Sequence, residues 1–187
     1  MDITIVLIVI VVILGLFLVT TYNRLITLRQ RVKEAWSDID IQLKRRHDLI
    51  PNLVETVKGY AAHERGTFEA VTNARAQAVS AGATGSPQQM AQAENVLTGA
   101  LRSLFAVVEN YPDLKASTNV LELQEQLTTT ENQISFSRQH YNATVLDYNT
   151  SIATFPNALI AGPFGFTKRE FFDAEPEAAE VPVVQLR

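Results

Sequence analysis

Residues 22–54 read YNRLITLRQRVKEAWSDIDIQLKRRHDLIPNLV, and the spacing of apolar positions in this stretch decides the fold class. Leu25, Leu28, Val32, Ala35 with Trp36, Ile39 and Leu43 recur every three or four residues, the period of one helix face. The residues between them are mostly charged or carry amides, as a solvated face requires. The strict alternation of a half-buried strand is absent. A helix with one apolar stripe must bury it against other helices, so the stretch predicts a bundle. Pro51 interrupts the pattern. Residues 47–52 read best as a corner, with Asp48 capping a second helix and Pro51 in its first turn, because proline lacks the N–H a helix interior needs. A kink at Pro51 is the alternative, and it would merge the first two helices into one bent rod.

Upstream, residues 3–19 are ITIVLIVIVVILGLFLV, and Thr20 and Thr21 extend the uncharged run to nineteen residues. As a helix, that run reaches about 29 Å, the thickness of a bilayer's hydrocarbon core. It lacks the basic n-region and the small-residue cleavage site of a secretory signal. We expect an uncleaved transmembrane anchor over residues 1–21, inserted in the lipid bilayer through residues 3–21. Seven basic residues (Arg24, Arg29, Arg31, Lys33, Lys44, Arg45 and Arg46) follow it, whereas Asp2 is the only charged side chain before it. Basic residues stay on the cytoplasmic side. The expectation is therefore a single-pass protein of the inner (cytoplasmic) membrane, N-terminus outside and C-terminal domain cytoplasmic.

Downstream the helical period continues. Val54, Val57, Ala61, Glu64, Phe68, Val71, Arg75 and Ala78 share a face until the Gly-, Ser- and Pro-bearing loop at 81–87. A third helix over 88–110 turns Ala93, Val96, Leu97, Leu101, Leu104 and Val108 inward and stops at Tyr111-Pro112. A fourth, capped by Asn119 with Glu122 in a capping box, keeps Leu123, Leu127, Ile134, Tyr141, Val145, Tyr148, Ile152 and Phe155 on one face. The fold class is all-α: an N-terminal transmembrane helix, then an up-and-down antiparallel helical bundle over 22–155 with helices at about 22–47, 51–81, 88–110 and 119–155. Residues 156–172 read as an extended aromatic arm laid over the bundle. Residues 173–187 read as an acidic disordered tail ending in a short apolar segment.

The chain carries little that resembles catalytic machinery. It has no cysteine, which excludes thiol chemistry, disulfides and cysteine-ligated metals. His63-Glu64 opens like a zinc-hydrolase helix, but Thr67 stands where the second histidine belongs. The Glu-x-x-His pairs of a di-metal bundle are missing after Glu64, Glu109 and Glu131. Glu64 and Glu131 lie near inward stripes, where pairing with Arg75 or Arg138 would fix helix register. With a net charge of −4 the chain lacks the basic face of a nucleic-acid binder. Tyr141-Asn142 and Tyr148-Asn149 share a face, as core tyrosines or as an exposed docking strip. Lys44, Arg45, Arg46, His47 and Asp48 put five polar groups in a row. No single helix face buries all five, so this segment is the candidate protein-docking site, with the chain's own acidic tail as a competing partner.

Several segments together resemble the LemA family of bacterial membrane-anchored proteins. The resemblance begins at Tyr22-Asn23, Leu25, Leu28-Arg29 and Ala35-Trp36-Ser37. It is strongest from Gln42-Leu43-Lys44-Arg45-Arg46-His47-Asp48 through Leu49-Ile50-Pro51-Asn52-Leu53-Val54, and continues in Val57-Lys58-Gly59-Tyr60. It recurs in Tyr111-Pro112, Leu114-Lys115-Ala116, Asn119, Thr130-Glu131-Asn132, Tyr141-Asn142, Tyr148-Asn149, Phe155-Pro156, Gly165-Phe166 and Phe171-Phe172. Val120 and Phe68 depart from the expected phenylalanine and leucine, which alters core shape alone. The resemblance implies a transmembrane helix followed by a long antiparallel bundle, an accessory or scaffold role beside other membrane proteins, and no catalytic residues.

The reading is thus a non-enzymatic, membrane-anchored interaction or scaffold protein. It needs no cofactor or metal, does not bind nucleic acid, partners another membrane or cytoplasmic protein and leaves room for a homo-oligomer. Two alternatives stand beside it. One is a hydrolase or metal-binding bundle using Glu64, His63, Glu131 and His140, which requires those side chains to converge. The other is a membrane-remodelling or lipid-binding protein.

Overall fold

A computed structural model of the chain describes residues 3–61 and 63–172. Within them the chain is helical almost throughout, with no strand: α1 (Ile3–Lys58), α2 (Arg65–Thr84), α3 (Pro87–Asn110), α4 (Pro112–Lys115), α5 (Thr118–Ala153) and α6 (Ala158–Ala161). The acidic tail expected at 173–187 lies outside the described residues. Two compact units are present, one built from residues up to 40 with 136–169, the other from 41–135 with 170–172.

In the first unit, α1 and α5 run antiparallel. Trp36 meets Tyr141 edge-on at 5.3 Å between ring centroids, and residues 24–31 of α1 share a groove with 146–157. The expected stripe is buried: Leu25, Val32, Ala35 and Ile39 from α1, Tyr141, Val145, Tyr148 and Ile152 from α5. Both tyrosines are interior, so they form no docking strip. Phe155 departs from the stripe at 82% exposed, because α5 ends at Ala153 and the chain turns before Pro156. The arm is turned rather than extended over its first part: α6 and a glycine turn carry it, with Gly165 at φ 72°, a conformation L side chains rarely adopt. Past the turn, Phe166 is buried against Tyr22, and the arm is held to α5 by Asn149. Its amide donates to Arg169 O at 2.9 Å and accepts from Arg169 N at 2.8 Å.

In the second unit, Ile50, Leu53, Val54 and Val57 of α1 join Phe68 and Val71 of α2, Leu97, Leu101 and Leu104 of α3, Leu114 of α4, and Val120 and Leu127 of α5 in one core. Helices α2 and α3 form a hairpin whose turn has a clear local cause. Gly85 donates to Ala81 O, and a Cβ on it would lie 2.6 Å from that same oxygen. Ser86 then caps α3 with Gln89 as its reciprocal partner, and Pro87 occupies the first turn. The capping box expected at Asn119 and Glu122 does not form, because α5 already begins at Thr118.

The corner expected at residues 47–52 is absent. Helix α1 runs through Pro51 to Lys58, and the chain reverses at 59–64 instead. Proline at 51 leaves the carbonyl of His47 without its usual N–H donor four residues on. Arg75 of α2 supplies the missing donor: its Nε–H bonds His47 O at 2.7 Å. A side chain from the neighbouring helix thus completes the ladder that proline opens. Gly59, a poor helix former, marks the true end. The helices expected at 22–47 and 51–81 are therefore cut differently, although their stripes keep their inward register.

Candidate functional site

Leu43 and Ile50 are both buried, and the positions that share their face are 46 and 47. Helical geometry thus sends Arg46 and His47 inward, at 1% and 8% exposure, while Lys44, Arg45 and Asp48 remain exposed. The five-residue polar run divides into two buried groups and three at the surface.

Inside, Arg46 is the hub of a charged layer. Its Nη2 donates to the Glu94 carboxylate. Its Nη1 donates to Glu131 Oε2 at 2.5 Å and Thr98 Oγ1 at 3.0 Å. His47 Nε2 lies 2.9 Å from the other Glu94 oxygen. Thr98 Oγ1 stands 3.1 Å from both Glu94 O and Glu131 Oε1, and its single proton serves one of them at a time. Arg46 Nε has no partner among the described residues. Three helices contribute: α1 Arg46 and His47, α3 Glu94 and Thr98, α5 Glu131. Each acid sits where an apolar residue would continue the stripe, Glu94 between Met90 and Leu97, Glu131 between Leu127 and Ile134.

Burial pushes the Glu94 carboxyl up, but the hydrogen bond from His47 and the Arg46 charge outweigh it and hold Glu94 below the usual carboxylate range. The site therefore keeps an ionised carboxylate whose oxygens are both engaged. Glu131 pairs with Arg46 rather than with Arg75 or Arg138. The arrangement can lock the register of three helices: both Glu94 oxygens are engaged inside, while Glu131, its side chain 42% exposed, pairs with Arg46 and Thr98 at the edge of the layer.

The other residues weighed from the sequence do not join this layer. Glu64 accepts from Tyr111 Oη at 3.4 Å, and His63 and His140 are exposed on α1–α2 and α5 surfaces respectively. Among the described residues no group of three or more His, Asp or Glu is placed to hold a metal. Sequence reasoning missed Glu94, whose signal was its register with Leu97 and Leu101, and it placed Val96 inward where the structure has it 57% exposed.

These features define an all-helical bundle protein whose first helix holds a window long and apolar enough to cross a membrane, none of it buried. The chain belongs to the LemA family, whose sequence pattern matches residues 35–186. It is similar to magnetosome protein MamQ 2 of Paramagnetospirillum magneticum, 27% identical over 89% of this chain and 70% of that protein. It resembles equally magnetosome protein MamQ of Magnetospirillum gryphiswaldense, 26% identical over the same shares. Protein LemA of Metamycoplasma hominis is 27% identical over 88% of this chain and 75% of its own length.

Proposed function

We propose that the protein is a single-pass, non-enzymatic scaffold of the inner membrane, with residues 3–21 in the bilayer and the bundle on the cytoplasmic side. The observation that carries this reading is the unburied apolar start of α1, which continues without a break into the bundle. Two further facts support it. Both carboxylates of the charged layer are paired with Arg46, and Glu94 also with His47. The basic flank follows the apolar run. Protease added to intact spheroplasts is expected to leave residues 22–172 whole and to digest them once the membrane is broken; digestion before lysis overturns the orientation.

The docking surface reduces to the exposed members of the polar run, Lys44, Arg45 and Asp48, since Arg46 and His47 are committed to the interior. Their partner is an acidic surface on another protein. Reversing Lys44→Glu together with Arg45→Glu is expected to leave helicity and thermal midpoint unchanged, while proteins captured by a photo-cross-linker at the exposed neighbouring position 41 disappear. An unchanged cross-link pattern overturns the docking role.

A further inference from the structure

The turn at 155–165 holds large apolar side chains that the described residues leave uncovered: Phe155 is 82% exposed, Leu159 68% and Phe164 50%. Their position follows from two contacts. The Phe164 ring lies 5.2 Å from that of Tyr22, the first residue after the uncharged run. Phe155 and Pro156 line the same groove as Arg24 and Leu28. The antiparallel register that sets Trp36 against Tyr141 also brings the end of α5 level with the start of α1's polar part.

Height above the bilayer core can be read along α1. Arg24 lies three residues past Thr21, about 4.5 Å of helical rise, within a headgroup layer about 5–7 Å thick. Tyr22 sits lower still, at the level where aromatic side chains prefer to rest. Three exposed apolar side chains at that height, beside an exposed arginine, form the composition of a segment that lies in a membrane interface.

The geometry points to the 155–165 turn as a second membrane contact: Phe155, Leu159 and Phe164 enter the bilayer interface beside the anchor, with Arg24 meeting phospholipid phosphates. The inference rests on the anchor reading above. It makes the first unit sit on the membrane surface rather than stand off on a flexible stalk.

The chain contains no cysteine, so single labels can be introduced without background. Full-length Phe155→Cys, Leu159→Cys and Phe164→Cys variants carry an environment-sensitive fluorophore in phosphatidylcholine–phosphatidylglycerol vesicles. Val11→Cys marks the span and Phe136→Cys an exposed site of the same unit, nineteen residues up α5 from Phe155. A nitroxide near the top of the acyl chain is expected to quench the three turn labels severalfold more than the label at 136. A nitroxide near the methyl end of the acyl chain quenches the label at 11. If the label at 11 is quenched and the turn labels match 136, this inference fails and the anchor stands. If the label at 11 escapes quenching, the anchor reading itself fails. A blue shift at the turn without lipid quenching assigns it to a protein partner or a second copy and overturns the proposal.

Discussion

Arg46→Ala is expected to destabilise the folded chain by about 3–5 kcal/mol, the cost of stranding a buried ion whose partner has been removed. Glu94 is 2% exposed as a residue and would lose its principal cation while remaining out of water. Glu131 suffers less, because its side chain is 42% exposed and water can take over part of the solvation. The measurement is urea unfolding of the full chain in nanodiscs, and a loss below about 1 kcal/mol is inconsistent with a buried layer. The sign of the acid response follows from Glu94. Its folded pKa is depressed, so its contribution is fully present above the unfolded value of about 4.3 and fades as pH falls through the lowered folded value. Protonation also relieves the variant of its stranded charge. The difference between wild type and Arg46→Ala should therefore shrink over that acid window. Arg46→Met combined with Glu94→Leu removes both ions and fills the space, and it is expected to recover most of the stability.

Leu97→Ala should cost about 2–5 kcal/mol, through lost transfer energy and the cavity left in a core that cannot fully close. Leu97 is 0% exposed, and it packs in one cluster with Val57, Val71 and Leu104. Its chain neighbour gives the control. Val96 is 57% exposed, and Val96→Ala is expected to stay within about 0.5 kcal/mol of wild type. Equal effects at the two positions would mean that α3 is rotated about its axis relative to the geometry described. The same experiment at Leu43, Val57, Leu127 and Ile134, all nearly buried, extends the test along α1 and α5.

Periodicity made much of the architecture legible. The apolar run at 3–21, the stripes of α1, α2 and α5, the loop before α3 and the stop at Tyr111-Pro112 all depend on neighbours in the chain. Local rules therefore reach them. The stripe of α3 was read less well, because valine at 96 and glutamate at 94 invert the usual preference of their types. Apolar type is a weaker guide than register: Glu94 keeps step with Leu97 and Leu101, and Val96 does not.

The all-helical class, the apolar first segment, most of the inward faces and membership of a recognisable family follow from residue order alone. The fate of Pro51 and of the polar run before it depends instead on the packed helices around them. A proline inside a helix leaves a carbonyl open, and whether the helix survives depends on whether a distant group can answer it; Arg75, 28 residues on in the chain, does. The same holds for Arg46 and His47. In a single helix they are polar groups to be solvated, and their burial becomes affordable only because α3 and α5 present Glu94 and Glu131 at the same level. Solvation of a charge is a property of everything around it, and that environment is assembled from residues far apart in the sequence.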